Sequence, residues 1–172
     1  KNFSKLCKGL WMVVIFNFNI NCNIYNIINN EFNFDNIEVL DLCAGTGSIS
    51  FEFASRGAIS VTSVDQHGPS LHFIEATAKE HGLSQIQTRK QDILKYLEQC
   101  PRQYDLIFAD PPFGYENYND IIKLVLERKL LTEKGLLILE HDKRKDFSDI
   151  KEFNYLRNYG GVNFSFFEYG EE

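Results

Sequence analysis

The chain has 172 residues, 44% of them hydrophobic and 14% aromatic, which suits one domain able to bury about two thirds of the surface its unfolded form exposes. No stretch reaches the ~20 apolar residues that a membrane span needs, so no membrane association is expected. Eighteen basic against 24 acidic residues leave a formal charge of −6, which excludes a general grip on polyanions and leaves any nucleic acid to a local patch.

Cys7, Cys22, Cys43 and Cys100 form no C-x-x-C pair and have no histidine at zinc spacing, so neither a disulfide framework nor a metal site is supported. A reducing, cytoplasmic setting is expected. Lys1, Lys5 and Lys8 precede the apolar run Leu10 to Phe16, but that run is short for a signal peptide and no small-residue cleavage site follows. A strand along one edge of the core is expected there instead. Asparagine fills nine of the twenty positions from Asn17 to Asn36, a poor structural code. Ile24, Ile27, Ile28 and Phe32 have helical spacing and predict one apolar face against a sheet.

From Ile37 the organisation is clear. Residues 39–42 predict a strand running into Cys43-Ala44-Gly45-Thr46-Gly47-Ser48, then a helix over 48–56 stopped by Gly57. A second strand, 60–64, ends at Asp65, and Pro69 opens a helix with Leu71, Ile74 and Ala78 on one face and a Glu75–Lys79 pair on the other. Gly82 closes it. Residues 86–89 predict a third strand, followed by a short helix carrying Ile93, Leu94 and Leu97. Residues 104–109 predict strand four, Asn119 or Asp120 caps a helix facing inward through Ile122, Val125 and Leu126, and 135–139 predict strand five. Residues 153–157 and 162–168, separated by Gly160-Gly161, predict an antiparallel finishing hairpin. Strands alternating with helices imply a parallel, doubly wound α/β sheet.

Two stretches carry chemistry. Strand, glycine-rich turn, helix and an acid ending the next strand form a nucleoside cofactor site, in which Asp65 can accept both ribose hydroxyls. A dinucleotide fingerprint has a third glycine where this chain has Ser50, and no Lys-Ser or Lys-Thr pair makes a P-loop. Asp41, inside the turn strand, would repel a pyrophosphate and welcome an ammonium group, which points to S-adenosylmethionine. Asp92 is placed to accept from an adenine amine while Ile93 packs on the ring, so Asp41, Ala44, Gly45, Gly47, Asp65, Gln66, Asp92 and Ile93 are the candidate cofactor residues. The second stretch ends strand four in Asp110-Pro111-Pro112-Phe113. Proline cannot continue a central ladder, so the last groups point out of the sheet edge. The Asp110 oxygens, the Pro111 carbonyl and the flat face of Phe113 together suit a planar ring carrying an NH2 group.

Asp41-Leu42-Cys43-Ala44-Gly45-Thr46-Gly47-Ser48 and Phe108-Ala109-Asp110-Pro111-Pro112-Phe113, with Asp65 and Asp92 between, resemble the class I methyltransferases, and most closely the RsmD type. The resemblance implies a Rossmann-like fold with a mostly parallel seven-stranded sheet, helices on both faces and an antiparallel C-terminal hairpin. It also implies methylation of the N2 amine of a guanine in 16S ribosomal RNA, naked or in a small-subunit assembly particle, by a monomer. Asp110, Pro111, Pro112 and Phe113 become the catalytic residues. Cys43 stands where the family commonly has Phe. Residues 1–26 match neither the basic hairpin nor the Arg-Pro-Thr segment of the family, and are expected to be a divergent or aberrant segment before a methyltransferase domain at 27–172. Adenine-N6 or protein-amide methylation, or a non-catalytic RNA-binding module, remain alternatives; a dehydrogenase is disfavoured by Ser50. Rim candidates for phosphate contact are Lys143-Arg144-Lys145 and Arg89-Lys90. His67 and His141 are expected to be polar surface residues rather than bases, and Tyr115 and Tyr118 to cover the core or line a lid.

Overall fold

The structure, a computed structural model, describes residues 35–159 and 161–170. The apolar runs become β1 (Glu38–Leu42), β2 (Ser60–Asp65), β3 (Ile86–Lys90), β4 (Tyr104–Ala109), β5 (Leu131–Asp142), β6 (Phe153–Tyr159) and β7 (Val162–Phe167). Between them lie α1 (Ser48–Ser55), α2 (Gly68–His81), α3 (Ile93–Gln99) and α4 (Tyr118–Glu127). Among the described residues the strands form one sheet in the order β3-β2-β1-β4-β5-β7-β6. Every pair from β3 to β5 is parallel, and β7 runs antiparallel to both β5 and β6. This is the Rossmann-like sheet, mostly parallel with seven strands and an antiparallel C-terminal hairpin, that the sequence predicts.

Alternation of side chains along the strands divides the core into two layers. Val39, Val61, Phe108 and Ile138 meet Phe51 and Phe53 of α1 and Leu71 and Ile74 of α2. Leu40, Leu42, Ile107 and Leu139 meet Ile93 and Leu97 of α3 and Ile121, Ile122 and Val125 of α4. The winding reverses between β1 and β4, because the chain builds outward through β2 and β3 and then returns to lay β4 on the other side of β1. At such a switch point the loops leaving two neighbouring strands diverge and open a crevice at their carboxyl ends.

Three local expectations change. β5 begins four residues before Gly135 and extends to Asp142, with a register shift opposite Tyr104 and Leu106. Gly135 permits this, since a Cβ there would sit 2.8 Å from Thr132 N and 2.9 Å from Tyr104 O. α4 starts at Tyr118 with Asn117 as an N-cap whose side chain makes no capping bond, in place of a cap at Asn119 or Asp120. Tyr118 is only 2% exposed, so burying its ring sets the helix start. Glu75 accepts the Thr88 hydroxyl of β3 rather than pairing with Lys79. The edge strand near residues 10–16, the helical face of 24–32 and the boundary at residue 26 lie outside the described residues.

Candidate active site

The turn after β1 is built from left-handed residues, Cys43 at φ 61°, Gly45 at φ 52° and Gly47 at φ 81°, which fold the chain back so that α1 begins beneath it. The two glycines serve different ends. A Cβ on Gly45 would meet nothing closer than the Cys43 carbonyl oxygen at 3.9 Å, so its outer side is open to a ligand. A Cβ on Gly47 would lie 2.6 Å from Ile74 Cγ1, so this glycine lets α1 pack against α2. Close helix packing is therefore enough to require glycine at Gly47, whereas Gly45 is left open on its outer side.

Asp65 ties this turn to the end of β2. Its Oδ2 accepts the Gly45 N–H at 2.8 Å and its Oδ1 accepts the His67 N–H at 2.8 Å, leaving each oxygen a further lone pair. Asp92 caps α3 by accepting the Lys95 N–H at 3.1 Å, and also accepts the Gln66 side-chain amide at 2.8 Å. Asp65, Gln66 and Asp92 thus form a linked row along the ends of β2 and β3. Ala44 and Ile93 lie deeper, both buried, with the Ala44 N–H bonded to the Val64 carbonyl at 3.1 Å.

Asp41 is buried beneath the turn, where the Ser50 hydroxyl donates to its Oδ2 at 2.5 Å and the Ser63 hydroxyl lies 2.6 Å from that of Ser50. Ser50, standing where a third glycine would be in a dinucleotide site, is therefore the partner of the turn's buried acid. Burial pushes the Asp41 carboxyl up to about 7; the Ser50 hydrogen bond opposes this, and the charges of Asp110 and Asp65 add to it. Cys43 sits among the acids. Burial, then Asp65, Asp110, Asp41 and Asp92 in turn, push its thiol up to about 12. All four acids thus lie near Cys43 at the carboxyl ends of β1 to β4, a setting suited to a cation and hostile to a phosphate.

Asp110 leaves β4 with its N–H donated to the Leu42 carbonyl at 3.3 Å, which seals the end of β4 onto β1. Water reaches its side chain, yet enough protein crowds the carboxyl to raise it by desolvation to about 6. Being solvent-reached, that shift bears on its chemistry rather than on folding stability. Pro111 is buried, and the Pro112 carbonyl accepts the Tyr115 N–H at 3.0 Å, which turns the chain. Phe113 at the tip is 81% exposed, an unusual place for a phenyl ring with no folding role. Tyr115 packs edge-on against Tyr118 with ring centroids 5.6 Å apart, so Tyr118 belongs to the core and Tyr115 covers it.

One acid escaped the sequence reading. Glu140, half-buried near the end of β5, is pushed up to about 8 by burial and by Asp110. Its signal was present, since it breaks an otherwise apolar run in a strand that pairs with β4. His141 corrects an expectation: it is 2% exposed rather than a surface residue, with Nε2 2.8 Å from the Ser165 hydroxyl and Nδ1 2.9 Å from the Asp142 carbonyl. A carbonyl only accepts, so Nδ1 carries the proton and Nε2 accepts from Ser165. Burial lowers its pKa, which favours this neutral form.

Residues 19–168 match the family described as Conserved hypothetical protein 95. The chain belongs to it, and it is of the RsmD type. Among relatives of this family member, the ribosomal RNA large subunit methyltransferase K/L of Shewanella amazonensis is 34% identical over 128 residues, covering 67% of this chain. The chain spans only 18% of that relative's length. The ribosomal RNA small subunit methyltransferase D of Buchnera aphidicola subsp. Baizongia pistaciae is 24% identical, over 69% of this chain and 60% of its own. A solved structure of a conserved hypothetical protein of Streptococcus pyogenes shares the fold with a TM-score of 0.74 at 23% identity, over 83% of this chain and 92% of its own.

The basic rim of this Conserved hypothetical protein 95 member is partly committed to the protein itself. Arg144 pairs with Asp142 at 3.0 Å, and Lys145 Nζ lies 5.8 Å from the Tyr118 ring centroid. Lys143 is exposed in the same turn. Arg89 is exposed, with its guanidinium on the Thr88 carbonyl and the Gln87 side chain. His67 is exposed and bonds the Ser70 hydroxyl at 2.8 Å, a local contact at the start of α2.

Proposed function

We propose that this chain methylates ribosomal RNA with S-adenosylmethionine, and that the acceptor is the exocyclic N2 amine of a guanine in the small-subunit (16S) RNA. The observation that carries this reading is the Asp110-Pro111-Pro112-Phe113 turn leaving β4 near Asp41, Asp65 and Asp92, at the switch point of the sheet. Kinship with relatives named as ribosomal RNA methyltransferases supports the RNA class. The donor set fits the cofactor: acids for a sulfonium and an ammonium, and an open glycine edge at Gly45.

S-adenosylmethionine supplies an electrophilic methyl group when bound. Asp65 holds the ribose hydroxyls through its free lone pairs, Asp92 with Gln66 meets the adenine amine, and Ile93 and Ala44 form the floor beneath the ring. Asp41 takes the ammonium, whose charge favours the ionised form that burial alone resists. The amine of a purine is a poor nucleophile because its lone pair is delocalised into the ring. Asp110, ionised above about pH 6, and the Pro111 carbonyl each accept one N–H, which favours a pyramidal nitrogen with its lone pair free for the methyl group. Phe113 stacks on the extruded base, whose unstacking costs a few kcal/mol, least in a loop. Orientation of this kind supplies the rate, since the leaving group comes with the cofactor.

Residues 27–172 act as the catalytic domain, as a monomer in the cytoplasm, on the RNA or on a small-subunit particle. Among the described residues no helix is long and apolar enough to cross a membrane. A second reading, a large-subunit RNA target, is favoured by the higher identity to the K/L relative. Incubation with labelled cofactor and hypomethylated small- and large-subunit RNAs, naked and as particles, followed by nucleoside analysis, decides between them. N2-methylguanosine in small-subunit RNA is expected, and label in N6-methyladenosine or in protein would refute the target. Calorimetry should show S-adenosylhomocysteine binding; tight NAD binding in its place would overturn the cofactor.

A further inference from the structure

β5 is apolar and buried from Leu136 to Leu139 and then carries Glu140. β4 and β5 run parallel with Ala109 opposite Leu139 as their last registered pair. Asp110 and Glu140 therefore stand one residue further on, level with each other, on strands about 4.8 Å apart. Leu106 and Phe108 of β4 share a core layer with Leu136 and Ile138 of β5, so by alternation Asp110 and Glu140 fall on that same side. On the other flank the residue opposite Glu140 is Phe164 of β7, wholly buried and apolar. Among the described residues the Glu140 carboxyl has no hydrogen bond or ion pair, none to Asp110 included; the two carboxyls are neighbours by register, and the Asp110 charge acts on Glu140.

We propose that Glu140 is a positioning residue for Asp110: in its neutral form it donates a hydrogen bond to the ionised Asp110 and so fixes which oxygen faces the substrate amine. The pair then holds one proton through the neutral range. Burial and the Asp110 charge hold Glu140 at about 8, and desolvation holds Asp110 at about 6, apparent values that belong to the pair. The other charged groups around it are otherwise engaged. Asp142 is held by Arg144, His141 turns to Ser165 on the opposite face, and Lys145 lies over the Tyr118 ring. The Tyr118 hydroxyl on α4 is raised by burial, then by Asp142, Asp110 and Glu140, and stays neutral. Asp41 on β1 is the next acid beyond Asp110, bonded to Ser50.

The kinetic side of this proposal rests on the amine-methyltransferase reading, so its first test needs no substrate. Carboxyl-carbon NMR of the full chain, titrated from pH 4 to 10, should show two inflections at Asp110, and Glu140→Gln should remove the upper one while the protein stays folded. A single inflection in the wild-type protein overturns the pair. With RNA, wild-type turnover should rise through the lower step and fall through the upper one. Glu140→Gln, which keeps a donor but cannot ionise, should lose the alkaline fall. Glu140→Ala should lower kcat at pH 7 on the order of tenfold with little change in KM, and Gln should recover most of it. An alkaline fall that persists in Glu140→Gln refutes the proposal. Should the wild-type protein methylate no RNA, the functional reading fails and the NMR titration still decides the pair.

Discussion

Asp41→Asn removes the charge from the most buried acid of the cleft and keeps an oxygen to accept the Ser50 hydroxyl. The wild-type carboxyl rises from an ordinary 3.8 to about 7 because burial outweighs the Ser50 hydrogen bond. With the folded value above the unfolded one, the folded state holds a proton that the unfolded chain releases between those two pH values. Stability linked to Asp41 is therefore fully present below about pH 4 and is lost as pH rises to about 7, a change of about 4 kcal/mol for a shift of roughly three units. Urea unfolding of the cofactor-free wild type and Asp41→Asn from pH 4 to 8 isolates the group. The two proteins should differ little at pH 4, and the asparagine variant should be the more stable by about 4 kcal/mol at pH 8. A difference that does not vary with pH would refute the argument that Asp41 is forced to ionise in a dry site.

Asp110→Ala should leave S-adenosylhomocysteine binding within about threefold by calorimetry while single-turnover methyl transfer falls on the order of 10²-fold or more; undiminished transfer would sink the amine clamp. Phe113→Ala should change stability by less than about 0.5 kcal/mol, because the ring is exposed, yet lower kcat/KM for RNA by about 10- to 100-fold through lost base stacking. Gly47→Ala places a methyl group against Ile74 at a left-handed residue and should cost about 2 kcal/mol or more in denaturant unfolding of the cofactor-free protein.

The alternation of apolar runs and helical periods made the succession of strands and helices legible from Ile37 onward, because each buried parallel strand is a short hydrophobic word bounded by a turn residue. Boundaries failed where a tertiary demand outweighed local preference: Tyr118 pulled α4 to an earlier start than Asn119 would set, and Gly135 allowed a bulged β5 to begin at Leu131. The glycine turn after β1 and the Asp110 turn were legible because proline and left-handed glycine leave sequence marks. Pairings between strands leave none. The bond from Ser50 to Asp41 and the level placement of Glu140 with Asp110 depend on register, which exists only once the sheet is assembled. His141 misled for a related reason, since its partner Ser165 lies 24 residues away on β7.

The acidic lining of the cleft also gives the proposed reaction a direction. A sulfonium placed among Asp41, Asp65, Asp92 and Asp110 would be held partly by its charge, which it loses on giving up its methyl group to become a neutral thioether. The carboxylates would then face a product that no longer answers them, so the proposed site should bind the spent cofactor less tightly than the fresh one by the share of affinity that is electrostatic, which calorimetry with both checks. Salt should narrow that preference by screening the solvent-reached part of the cleft. Ejection of product and reloading of the site would then be driven by the same four strand ends that are proposed to hold the cofactor.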